Sequence, residues 1–272
     1  MDTTWTVDKE VLLALRLDRI EQALRSGRAE HALVEAEELL DEHPAHPMGL
    51  FYTGEAALAL GAAHTARAAL EQCAQLRPTD PTLLSLLATA RFESLDFDGA
   101  RVAALAVITS DRNIPAVWFT RGLVAERQGE AAEARHCFAR AELLDPDGHP
   151  IPLDLPERLW ERALHQARRV LPTAIQAFYV QVPLRWEDFP SAADLSDQQP
   201  PLSPLIGALY TGTRPRDDED PWQVLPDAVR LFRGNLRHNI PPGTTLVERL
   251  SLAMLAEALS WTGTPSEEVL TD

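Results

Sequence analysis

Several things are scarce in this chain of 272 residues. Lysine occurs once, at Lys9, so nearly all of the 25 basic residues are arginine, set against 41 acidic ones. The formal charge of −16 and a pI near 4.9 leave no basic face for phosphate, which excludes a nucleic-acid binder and electrostatic docking on anionic membranes. Cysteine occurs twice, at Cys73 and Cys137. Two thiols cannot make a disulfide framework, and a reducing, cytoplasmic setting is expected. No apolar run reaches membrane-spanning length. The opening Met1-Asp2-Thr3-Thr4-Trp5 lacks the basic start and apolar stretch of a signal peptide. There is no Gly-rich phosphate loop, since Arg233-Gly234-Asn235 has too few glycines, and no Gly-x-Ser-x-Gly elbow. What is present is 45% apolar residues, enough for a real core.

The first half is periodic. Pro47, Pro81 and Pro115 are spaced by 34 residues, as are Pro44 and Pro78, and Pro146 falls two periods after Pro78. Ala32, Ala66, Ala100 and Ala134 share one equivalent position. Gly27, Gly61 and Gly129 share another, where the third repeat has Leu95, and Gly54 and Gly122 share a third. The residue types fit two antiparallel helices per unit. A small residue lets the helices approach, glycine makes the turn at positive φ, and proline opens the next unit. The period, alanines and prolines resemble the tetratricopeptide repeat (TPR). Four units follow within residues 1–148, at 13–46, 47–80, 81–114 and 115–148, stacked because one alone cannot bury its apolar face.

The resemblance implies a concave groove lined by the first helix of each unit. The matching positions include Leu17, Glu21, Leu24, Phe51, Glu55, Leu58, Thr89, Phe92, Phe119, Leu123 and Glu126. Such a lining suits an apolar helix or extended peptide carrying basic residues to meet the acids. Repeats that clamp acidic chaperone tails use Lys, Asn and Arg, and the matching positions are Leu17, Glu21, Tyr52, Thr82 and Leu86. None holds a carboxylate, so that partner class is not expected. Cys73 and Cys137 fall on second helices as buried packing residues, and His43 and His46 lie at a repeat boundary as turn residues.

After Pro146 the period stops. Residues 149–156, with three prolines in eight residues, read as a linker before a second domain at 157–272. A helix is expected over 157–170 with Leu159, Ala163 and Val170 inward. A strand is expected over 176–182, a loop over 187–204, an apolar run over 205–210, an acidic loop at 217–220 and a strand over 228–232. The Asp217–Asp220 run lacks the spacing of a calcium loop and reads as a solvated turn. Thr245-x-x-Glu248 reads as a capping box opening a helix to about Trp261, stopped by Gly263 and Pro265.

Three segments in order resemble the minimal zincin-like metallopeptidases: Leu205–Gly212, Asp227–Gly234 and Ala256–Gly263. The expected fold is thus an α-helical TPR solenoid followed by a small α+β zincin-like domain. The resemblance also marks a departure. The family carries His-Glu-x-x-His on its last helix, two imidazoles for zinc and a glutamate for the metal-bound water. Here the histidine positions are Ala256 and Ser260, and only Glu257 remains, itself expected as an exposed helix residue. The further acidic ligand falls near Ser266 or Glu267. Beyond the linker the histidines are His165 and His238, far from the motif in sequence. The resemblance therefore implies no metal, no cofactor and no catalysis. It points to a scaffold or regulator that holds a protein or peptide partner. A peptidase with an unusual metal site using Glu257, His165 or His238, and a dedicated chaperone for one client, stand as alternatives.

Overall fold

The computed structural model describes residues 9–198, 201–216, 218–238 and 245–265. The chain divides into two compact units, residues 1–144 and 145–272. The fold class read from the sequence holds: a helical repeat solenoid, then a small α+β unit.

The first unit is four helical hairpins: α1 (Lys9–Arg25) and α2 (Ala29–Glu42), α3 (Pro47–Ala59) and α4 (Ala63–Leu76), α5 (Pro81–Glu93) and α6 (Phe97–Ser110), and α7 (Pro115–Arg127) and α8 (Ala131–Leu144). Pro47, Pro81 and Pro115 each take the first turn of their helix, where the missing N–H costs nothing. Asp80 caps α5, its Oδ1 accepting from the Thr82 and Leu83 N–H groups at 3.0 and 3.1 Å. The four shared alanines are buried. At Gly54 a Cβ would run into the Leu70 side chain, and at Gly122 into the Phe138 ring, so both glycines exist to let the paired helices meet. Three hairpin turns place Gly27, Gly61 and Gly129 at φ +73, +72 and +75°. The third hairpin makes the same turn with Leu95 at φ +68°, a conformation costly for a side chain with Cβ.

The second unit contains α9 (Glu157–Val170), α10 (Thr173–Gln181), β1 (Leu184–Glu187), α11 (Ala192–Ser196), β2 (Ala208–Thr211), β3 (Ala228–Phe232), α12 (Arg233–Leu236) and α13 (Leu246–Thr262). Its sheet has the order β1-β3-β2, with β1 parallel and β2 antiparallel to the central β3. The core of this unit gathers Trp160, Ile175, Tyr179, Leu231, Leu250 and Met254. Its N-terminal approach is tied down where the Leu153 N–H donates to the Arg237 carbonyl at 3.0 Å.

Four local expectations are corrected here. Residues 176–182, expected as a strand, belong mostly to helix α10. Ile175, Phe178, Tyr179 and Val182 are all buried, and their i, i+3, i+4, i+7 spacing outweighs the strand propensity of the aromatics. On α9 the inward stripe is Trp160, Ala163, Leu164 and Ala167, while Leu159 and Val170 are 37% and 64% exposed. The strand missing from the sequence reading is β1, four residues too short to show alternation. The expected loop 187–204 contains α11, closed by a capping box in which Ser191 and Asp194 satisfy each other's backbone N–H. By contrast, 228–232 and the Thr245–Glu248 capping box are as expected, and Gly263 ends α13 at φ +65°. Asp217 of the acidic loop, and Ser266 and Glu267, lie outside the described residues.

Candidate functional site

Two surfaces carry the residues singled out above. The first is the run of first helices in the solenoid. On α1, Leu17, Glu21 and Leu24 are half-buried, as are Phe51, Glu55 and Leu58 on α3. Leu17, Leu24 and Phe51 pack against the cluster around Ile20 and Tyr52, and Leu58 against that around Leu70 and Leu87. Glu21 pairs with Arg25 at 2.6 Å. The Glu55 carboxyl is pushed above its usual range by burial and then by the nearby Glu21. Burial, with Glu21 and Glu55, also raises the Tyr52 phenol. Glu55 is therefore a half-buried carboxyl among apolar side chains, with the Glu21–Arg25 pair close by.

The later repeats differ from the expectation. Phe92 is 1% exposed, with its ring centroid 5.4 Å from Phe97. Phe119 is 6% exposed and sits 5.4 Å from Phe138, and Leu123 is buried as well. Thr89 is half-buried, its hydroxyl 3.2 Å from that of Thr120, and Glu126 is half-buried. Phe92, Phe119 and Leu123 are thus packing residues: Phe92 meets Phe97 and Phe119 meets Phe138 on the second helix of its own hairpin, where Phe138 also fills the space beside Gly122. Cys73 and Cys137 are buried as expected, and burial pushes both thiols up, Cys137 to about 12.

The second surface is the junction of α13 and β2. Glu257 is not the exposed residue the sequence suggested. Its Oε1 accepts the Tyr210 backbone N–H at 2.6 Å. The β2 ladder leaves that N–H on the free edge of the strand, since β3 pairs with the other side. Burial raises the Glu257 carboxyl to about 7, although the Tyr210 N–H bond and the Arg214 charge both pull it down. Tyr210 stacks edge-on to Trp261 at 4.7 Å, and Trp261 Nε1 donates to the Val224 carbonyl at 2.7 Å. Tyr179, buried below, donates its hydroxyl to the Met254 carbonyl at 2.7 Å.

Ala256 and Ser260 face outward one turn apart. Sequence reasoning missed Arg214, which reaches this face from beyond β2. Its Nη2 donates to the Ser260 carbonyl at 2.8 Å and the Ser260 hydroxyl at 2.9 Å, its Nε donates to the Tyr210 hydroxyl, and its guanidinium lies 5.4 Å from the Tyr210 ring centroid. No motif marks it; the only signal was an arginine shortly after the Tyr210-Thr211-Gly212 strand end. His165 is exposed on α9 and His238 is buried after α12. Among the described residues no three His, Cys, Asp or Glu side chains are placed to share a metal ion.

Comparison with known proteins follows the same division. A tetratricopeptide repeat profile matches residues 115–147, and a zincin-like metallopeptidase profile matches residues 179–270. The chain carries TPR repeats and a zincin-like domain. No curated protein matches the sequence. Among solved structures, MamA residues 41 to the end from Desulfovibrio magneticus RS-1 is 20% identical with a TM-score of 0.44, covering 49% of this chain and 76% of that one. A thermophilic TPR protein of Thermus thermophilus, TTC0263, is 20% identical with a TM-score of 0.44, covering 50% and 75%. Another MamA structure is 19% identical at 0.42, covering 47% and 75%.

The zincin-like family implies zinc, and the residues on this face do not fit it. Alanine at 256 has no lone pair, and the Ser260 hydroxyl is taken by an arginine. Among the described residues no helix is long and apolar enough to cross a membrane.

Proposed function

We propose that this chain is a non-enzymatic interaction protein, a scaffold or regulator that works in the cytoplasm. Its solenoid grips an apolar peptide or helix carrying basic residues, and its zincin-like domain offers a second protein-binding surface without cutting. The reading rests chiefly on one observation: the α3 face pairs a half-buried Phe51 and Leu58 with a Glu55 carboxyl already burdened by burial and by Glu21. A basic side chain entering there would pair with the Glu55 carboxyl and offset the cost of its burial, and an apolar neighbour gains from burial. Two such anchors at ~1.5–3 kcal/mol each support micromolar binding after ordering costs. The repeat profile at 115–147 supports the use of the solenoid for protein contacts. The departure at Ala256 and Ser260 supports a domain that binds what its relatives bind and leaves it intact.

The test is in two steps. Capture from native cells followed by mass spectrometry names the partner, and its affinity is then compared for the wild type and for Phe51→Ala with Leu58→Ala. A loss of roughly tenfold or more is expected. Unchanged affinity overturns the groove as the site.

A second reading has its own support. The zincin-like match spans residues 179–270, and Glu257 holds a carboxyl near pKa 7 beside a strand edge, as a general base would. Under it, chelator-sensitive cleavage that Glu257→Gln abolishes is expected.

A further inference from the structure

The zincin-like domain carries a cation on the outward face of α13, and that cation is part of the chain. The Arg214 guanidinium donates both to the carbonyl and to the hydroxyl of Ser260, which occupies the second histidine position of the family pattern. Its Nε holds the Tyr210 hydroxyl. The same charge acts on Glu257, whose carboxyl it pulls down against the effect of burial. One side chain thus ties the edge strand to the helix at Ser260, one of the two positions that the family pattern gives to histidine.

We infer that Arg214 takes the place of the metal ion at this face, an exposed guanidinium that supplies the positive charge between β2 and α13. Two consequences follow from the geometry. With the Ser260 hydroxyl 2.9 Å from Nη2, an imidazole placed at 260 competes with the guanidinium for the same side of α13. A divalent ion brought beside it would also meet a positive charge at close range. The loss of the metal is therefore not a matter of two missing side chains alone. Restoring the histidines does not restore the site while Arg214 stays.

The inference rests on reading this domain as one without a metal, and the experiment separates the two. Full-length A256H/S260H is compared with the same chain carrying in addition R214K, R214Q or R214A. Zn2+ affinity is measured by titration calorimetry, and Co2+ by its visible absorption. The neutral substitutions are expected to bind Zn2+ at least ~10-fold more tightly than the forms with Arg or Lys at 214. Either neutral variant suffices if the other does not fold. Equal affinity with Arg and with Gln or Ala overturns the inference, as does absence of Zn2+ binding in every neutral variant. Stoichiometric Zn2+ on the unmodified chain overturns instead the metal-free reading on which it stands.

Discussion

Glu257 Oε1 accepts the Tyr210 N–H at 2.6 Å, joining the last helix of the zincin-like domain to the outer edge of its sheet. An edge-strand N–H is normally met by water or by another strand. Here it is met by a carboxylate that burial has pushed to about 7, so the contact binds stability to pH.

The direction follows from proton linkage. The folded pKa lies above the ordinary carboxylate value, so the folded chain holds more protons than the unfolded one between about 4.5 and 7. Stability from this group is fully present below the lower value and is lost as pH rises through the upper. Glu257→Gln, neutral at all pH and still able to accept the Tyr210 N–H, is expected to flatten that fall. Urea melts of both proteins at pH 5 and pH 8 measure it. The gap between them should widen by a few kcal/mol at most toward pH 8, with the variant the more stable.

Asp194 has the opposite sign. Arg230 donates to both of its oxygens, at 3.0 and 2.5 Å, and holds the carboxyl down to about 2. This stability is present above the ordinary value and disappears as pH falls toward 2. Asp194→Ala also opens the capping box of α11, and a loss of about 1–3 kcal/mol at pH 7 is expected in thermal or denaturant melts.

Phe119→Ala and Phe51→Ala should part company. Phe119 is sealed against Phe138, so its truncation leaves a cavity and costs about 3–5 kcal/mol. Phe51 is only half-buried, and its truncation should lower stability less. Circular dichroism melts of the two single variants compare them directly.

Leu95 stands where the other three hairpins have glycine, at φ +68°. Leu95→Gly should relieve the backbone and stabilise the solenoid by about 1 kcal/mol, less whatever the half-buried side chain contributes. A lower melting temperature for that variant would show that packing of Leu95 outweighs its strain.

The legible parts of this chain were those with repetition or a named end signal. Ala66 and its equivalents, the prolines at 47, 81 and 115, and the Thr245–Glu248 box are each a residue type that only one local geometry favours. The illegible parts depended on neighbours distant in sequence. Residues 176–182 have the composition of a strand, and only the core beneath them turns Phe178 and Tyr179 to the same side of a helix. Glu257 looked solvent-exposed because nothing in a helix sequence announces that an edge strand 47 residues earlier will cover it. Arg214 was invisible for the same reason.

The central claim is that this chain holds partners and does not cut them. The most direct measurement is metal analysis of the purified full-length protein, paired with a peptide-hydrolysis assay run with and without added Zn2+ and chelator. The account predicts far less than one zinc per chain and no cleavage above background under any condition. One zinc per chain, with hydrolysis that chelator removes and Glu257→Gln abolishes, would contradict it.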